Sequence, residues 1–206
     1  MKIFLNLILL FTITASISAW AAGGGSFYGC VVGNNDCAET FPIIADVKGW
    51  QDLKWGQSLE SIQKKYKGRF YQRTKSAPYL IRAIQINNLD FGDAALIDKN
   101  GQLNGVILVY NSNQDDLIAF KEIIAKFGQK YGRPTVVSGS LDSNKQVITD
   151  SGEIHTGEKI TLSWSFPSTV ISVEAIYLRA GKLHDNDSFN SQMKIFYEAT
   201  IQNDEL

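Results

Sequence analysis

Leu117-Ile118-Ala119-Phe120-Lys121-Glu122-Ile123-Ile124-Ala125-Lys126-Phe127-Gly128-Gln129-Lys130-Tyr131 decides the fold class. Leu117, Phe120, Ile124, Phe127 and Tyr131 recur at intervals of three, four, three and four, one continuous stripe on a 3.6-residue helix. The pattern predicts a helix over about 114–131, with Asp115 and Asp116 in a first turn that favours carboxylates. Gly132 then stops the helix and Pro134 forbids its continuation. Burying five such side chains contributes on the order of 10 kcal/mol before chain entropy is set against it. So wide an apolar face calls for a core, and strand-forming segments lie on both sides of it.

Upstream, 79–86 is rich in apolar and β-branched residues, and 94–98 and 103–110 flank Lys99-Asn100-Gly101, a strong hairpin signal. Leu108 and Tyr110 alternate with Ile107 and Val109, which predicts a strand covered on both sides. Ser58 reads as the N-cap of a short helix reaching about Lys67, with Leu59, Ile62 and Tyr66 on one face and Gly68 after its end. Downstream, Ile160, Leu162, Trp164 and Phe166 alternate with Thr161, Ser163 and Ser165, as in a sheet with one wet face. Residues 170–179 and 192–200 are two further strands. The polar connection 138–159 is long enough that it must form its own hairpin or serve binding. The predicted class is α+β: an antiparallel sheet with two main helices on one face. The succession also fits a diverged tandem repeat of a helix-plus-sheet unit, without residue-level self-similarity.

The N-terminus bears on the compartment. Lys2, the apolar run 3–11 and Ala19-Trp20-Ala21 together have the form of a secretory signal peptide over 1–21. Asn6, Thr12, Thr14, Ser16 and Ser18 dilute the stretch and weigh against a retained membrane anchor. No other segment is apolar enough to span, so a mature protein without a membrane span is expected. Residues 22–42 read as a flexible leader, and 43–206 as a single α+β domain. Cys30 and Cys37, the two cysteines of the chain, flank a Gly33-Asn34-Asn35 turn signal, and in an oxidising compartment a local disulfide is the expectation. Closing that small ring stabilises by about 2.5 kcal/mol. The expected location is the periplasm or the exterior.

Three short motifs carry a resemblance. Trp55-Gly56-Gln57-Ser58 opens an amphipathic helix, Asn100-Gly101 turns a hairpin, and Lys130-Tyr131-Gly132-Arg133-Pro134 closes the main helix. Together they resemble the beta-lactamase inhibitor protein-like group of small exported bacterial proteins, over about residues 50–179. The resemblance implies a helix-on-sheet fold and binding rather than catalysis, and carries over no functional residue.

The formal charge is −1, from 20 Lys and Arg against 21 Asp and Glu. With no dense Lys/Arg block, this argues against a nucleic-acid partner. No nucleophile elbow, H-E-x-x-H, phosphate loop or free catalytic cysteine is present, and no cofactor or metal is implied. His184-Asp185-Asn186-Asp187 lacks the glycine and closing Glu of a calcium loop and reads as a solvated turn. The tail Asn203-Asp204-Glu205-Leu206 differs from the retrieval tetrapeptide at its first position. Trp50, Trp55 and Trp164 read as core before they read as a binding platform. Asp150, Glu153 and His155 are the clustered polar residues, a candidate interaction loop. The leading expectation is a module binding a protein partner in the cell envelope. The alternative is an envelope hydrolase using that carboxylate and histidine cluster.

Overall fold

The computed structural model describes residues 24–33, 40–141, 146–148, 154–181 and 188–200. The fold is α+β and mostly strand. Helix α1 (Gly24–Val31) comes first, followed by the two-residue strands β1 (Gly49–Trp50) and β2 (Leu53–Lys54). Helix α2 (Leu59–Lys65) leads into β3 (Phe70–Gln72), β4 (Tyr79–Ile86), β5 (Leu89–Lys99) and β6 (Gln102–Ser112). Helix α3 (Leu117–Tyr131) leads into β7 (Val136–Ser140), β8 (Gln146–Ile148), β9 (Ile154–Ser165), β10 (Thr169–Gly181) and β11 (Ser188–Ala199).

The large sheet runs β3-β4-β5-β6-β11-β10-β9-β7, with β8 added beside β9, and all its pairings are antiparallel. The order is palindromic. A helix and a strand meander, α2 with β3 to β6, is followed by a second, α3 with β7 to β11, and their last strands pair at the middle. The two helices also end alike, at Tyr66-Lys67-Gly68-Arg69 and Tyr131-Gly132-Arg133, with Gly68 at φ 84° and Gly132 at φ 85°. A side chain is strained at such φ, so glycine caps α3 at Gly132 and serves the exit turn of α2 at Gly68, two residues beyond the Tyr66 cap. The succession of a helix followed by a strand meander thus occurs twice in the element order.

Register carries the core across the sheet. Ile81 stands beside Ala94, Ala94 beside Leu108, Leu108 beside Ile195, Ile195 beside Val173, and Val173 beside Leu162. All six are buried. The opposite face is open, with Ile97, Val109 and Leu178 exposed by 37%, 38% and 39%. This corrects the reading of 103–110 as covered on both sides: Leu108 is sealed, whereas Val109 meets solvent. The Asn100-Gly101 turn forms as expected, with φ of 54° and 75° matching the twist of the flanking strands.

Helix α3 begins three residues later than expected. Asp116 occupies the cap position without capping a backbone amide; its carboxylate accepts a 2.7 Å hydrogen bond from the Tyr110 hydroxyl instead. The stripe is buried at Phe120, Ile124, Phe127 and Tyr131, and Ile123 and Gly128 are buried as well. The added width reflects α1. Residues 24–33 fold where a flexible leader was expected, with Phe27, Tyr28, Cys30 and Val31 all buried. The Tyr28 hydroxyl accepts a 3.1 Å bond from the Leu141 amide, and the Phe27 and Phe41 rings lie 5.4 Å apart. Three adjacent glycines suggest freedom locally, but the apolar residues after them supply the tertiary contacts that order the segment.

Trp164 is 1% exposed, its ring against Phe127 at 5.8 Å and Tyr131 at 6.5 Å, and its Nε1 donates to the Gly132 carbonyl at 2.8 Å. Trp50 is buried, and Trp55 Nε1 donates to Thr169 Oγ1 at 2.6 Å. All three tryptophans are structural. The polar connection forms a hairpin: β8 pairs with the start of β9, Val147 opposite His155.

Candidate functional site

The expected interaction loop is not assembled among the described residues. Asp150 and Glu153 lie outside them, and so does the His184 turn. His155 is in β9, its backbone between Val147 and Ala180, instead of in an irregular loop. Cys30 is 5% exposed on α1 and is not a free thiol; Cys37 lies outside the described residues. Among the described residues no three His, Cys, Asp or Glu gather as metal ligands, and no helix is long and apolar enough to cross a membrane.

Concave regions are found among the described residues. The first, about 410 Å³, lies between residues 44–54 and the end of α3 at Lys130 and Tyr131. Its acids are committed elsewhere. Asp46 accepts bonds from the Ser168 amide at 2.9 Å and the Ser168 hydroxyl at 2.6 Å, contacts that hold its carboxyl below the usual range. Asp52 pairs with Lys65 Nζ at 2.7 Å and accepts the Tyr66 hydroxyl at 2.5 Å. These bonds tie β1 and β2 to α2 and to the β9–β10 turn, so the region is built as a brace.

The second region, about 460 Å³, opens at the β3 end of the sheet and is walled by Ala77, Pro78, Leu80 and Val109, with Arg73 and Asp93 beside them. Arg73 Nη2 lies 3.3 Å from Asp93 Oδ2, and the Tyr71 hydroxyl donates to the same oxygen. The Arg82 guanidinium stacks 4.0 Å from the centre of the Tyr71 ring. The socket therefore combines apolar walls with an oriented polar side. It forms because β4 and β5 shift register about Ala83 and Gly92, both at positive φ, while residues 73–78 turn beside Leu80. Gly92 suits that conformation, and its amide donates to Asp90 Oδ1 at 2.8 Å.

Along the sequence that leads into the socket the charge is one-sided. Residues 47–89 hold nine Lys and Arg against Asp52 and Glu60, a charge of +7 along that stretch within a chain of −1; of these, Arg73 lines the socket itself, opposite Asp93. Between Glu60 and Asp90 there is no carboxylate in the sequence. The whole-chain balance conceals this segregation; a running charge sum along the chain reveals it. Lys64 and Lys65 pair with Glu60 and Asp52, whereas Lys67, Lys75 and Arg82 make no ion pair among the described residues.

Several tyrosines make alkaline pH a test of this architecture. Burial, with Tyr131 against it, pushes the Tyr197 phenol well above its usual range. Burial, followed by the hydrogen bond to Asp52, pushes Tyr66 up to about 12; burial and Asp115 do the same for Tyr177. A raised folded-state value means that the unfolded chain loses these protons first, so stability falls as pH rises above about 10. Absorbance at 295 nm should show these phenols ionising late, together with loss of folded structure. Complete tyrosine titration near pH 10 with the fold intact would contradict the packing.

Comparison with family models, with curated proteins and with solved structures finds no match to the chain. The likeness carried by Trp55-Gly56-Gln57-Ser58 and by Lys130-Tyr131-Gly132-Arg133-Pro134 thus rests on those residues alone.

Proposed function

We propose that the chain is an exported protein-binding module, periplasmic or secreted, that engages its partner through the open face of the large sheet. The observation carrying this reading is the asymmetry of that sheet. One face is buried, while the other leaves Ile97, Val109 and Leu178 more than a third exposed among polar neighbours. Val109 stands beside Lys194, Lys194 beside Glu174, and Glu174 beside Thr161, a row of mixed chemistry. Protein interfaces have this composition: apolar anchors within a polar surround. Removal of residues 1–21 and a Cys30–Cys37 disulfide belong to the same reading, supported by the form of the N-terminus and by oxidising export. The resemblance to the beta-lactamase inhibitor protein-like group points the same way.

The test is affinity capture from envelope extract of the source cell, using the mature chain and an Ile97→Lys/Leu178→Lys variant. A stoichiometric partner held by the native chain and weakened at least tenfold by the variant, about 1.4 kcal/mol, is expected. Circular dichroism would verify that the variant folds. No partner, or one retained by the variant, would overturn the reading. Mass spectrometry of native material should show an N-terminus beyond Ala21 and two cysteines resistant to alkylation.

A further inference from the structure

We propose that the basic end of the sheet docks an acidic segment of the protein partner, which inserts one apolar side chain into the socket beside Leu80. The proposal rests on the protein-binding reading and names the chemistry of what is bound. Arg73 and Lys75 follow β3, and Arg82 lies on β4. Arg82 stands opposite Asp93 in the pairing of β4 with β5. Asp93 is already occupied by Tyr71 and Arg73, so it cannot neutralise the whole group. Lys75 and Arg82 are left without an ion-pair partner among the described residues. Arg73, Lys75 and Arg82 thus outnumber Asp93 at this end of the sheet, an excess complementary to a carboxylate-rich chain.

The apolar part selects among polyanions. The walls formed by Ala77, Pro78, Leu80 and Val109 suit an aliphatic or aromatic side chain, the usual buried anchor of a protein interface. A single-stranded nucleic acid needs aromatic faces for its bases. Here those faces are taken: Phe70 stacks on Tyr79 at 5.2 Å, Arg82 covers Tyr71, the Arg69 guanidinium lies 5.8 Å from the centre of the Tyr66 ring, and Phe91, which lines the socket, is buried against Tyr110 at 5.6 Å. An anionic lipid surface would address the charges without filling a concave socket. An acidic protein segment uses both features.

The probe is a synthetic peptide, Glu-Asp-Glu-Leu-Glu-Asp-Glu, blocked at both ends and titrated into the isotope-labelled mature chain. Amide shifts should concentrate at Arg73, Leu80 and Val109. The dissociation constant should rise at least tenfold between about 0.05 and 0.5 M salt as screening shortens the reach of the charges. Leu→Ala in the peptide should weaken binding about tenfold, and Arg73→Glu with Arg82→Glu in the protein should weaken it further. An all-Lys counterpart, a phosphatidylglycerol vesicle and a twelve-residue oligothymidylate are the alternatives; stronger binding of any of them overturns the proposal. So does absence of peptide shifts at the socket while the spectrum shows a folded chain.

The two readings fail separately. If envelope capture depends on Ile97 and Leu178 but ignores Arg73→Glu and Arg82→Glu, the acidic-segment proposal falls and protein binding stands. If the peptide binds at the socket but capture finds no partner, the protein-binding reading falls.

Discussion

Replacing Trp164 with Ala is expected to cost about 3–5 kcal/mol, a large share of the 5–15 kcal/mol typical of a domain. The side chain is 1% exposed and touches both aromatic residues that close α3, Phe127 and Tyr131. Its loss opens a cavity and leaves the Gly132 carbonyl without its indole donor. Equilibrium urea unfolding of the mature chain measures the effect as a lower midpoint at unchanged slope. Trp164→Phe keeps much of the ring contact and loses the donor, so its cost should be clearly smaller. A loss below about 1 kcal/mol for Trp164→Ala would mean that this side chain does not hold α3 to the sheet.

The second large effect is expected at Gly128. A methyl group there would lie 2.2 Å from Val31 Cγ2 on α1, far inside contact distance. In an isolated helix, Gly→Ala gains about 1 kcal/mol. Here the sign should reverse, with a net loss of about 1–3 kcal/mol as α1 is pushed off. Val31→Ala should also destabilise by itself, since Val31 is 1% exposed. The double variant should recover at least about 1 kcal/mol relative to the sum, because shortening Val31 makes room for the new methyl. Strict additivity would show that the two helices do not meet at this point.

These two positions mark what could and could not be read from the chain. The stripe ending at Tyr131, the alternation around Trp164 and the Asn100-Gly101 turn are local patterns, each tied to a period or to a backbone requirement. They predict that α3, β9 and the β5–β6 hairpin exist, while the strands run longer than their patterns: β9 starts at Ile154 rather than Ile160, and β5 at Leu89 rather than Ala94. Gly128 was not readable as a contact, because its partner Val31 lies almost a hundred positions earlier and no local rule couples them. For the same reason α1 was expected to be flexible. The palindromic order is hidden because alternation identifies strands without saying which of them will pair. At the candidate site, Asp150, Glu153 and His155 stand out by residue type; Asp150 and Glu153 lie outside the described residues, and His155 is placed in β9. The basic stretch 47–89 is invisible in the total charge because acidic residues elsewhere in the chain cancel it.

Helix α1 also constrains how the molecule is made. It is among the first structured parts to be synthesised, yet Tyr28 bonds to Leu141, 113 positions further on. Until α3 and the residues after it have been produced, Phe27 has Phe41 beside it, but Tyr28 and Val31 lack the partners that cover them. The N-terminal end therefore docks late and waits with oily side chains uncovered, a period when a holding chaperone would be of most use.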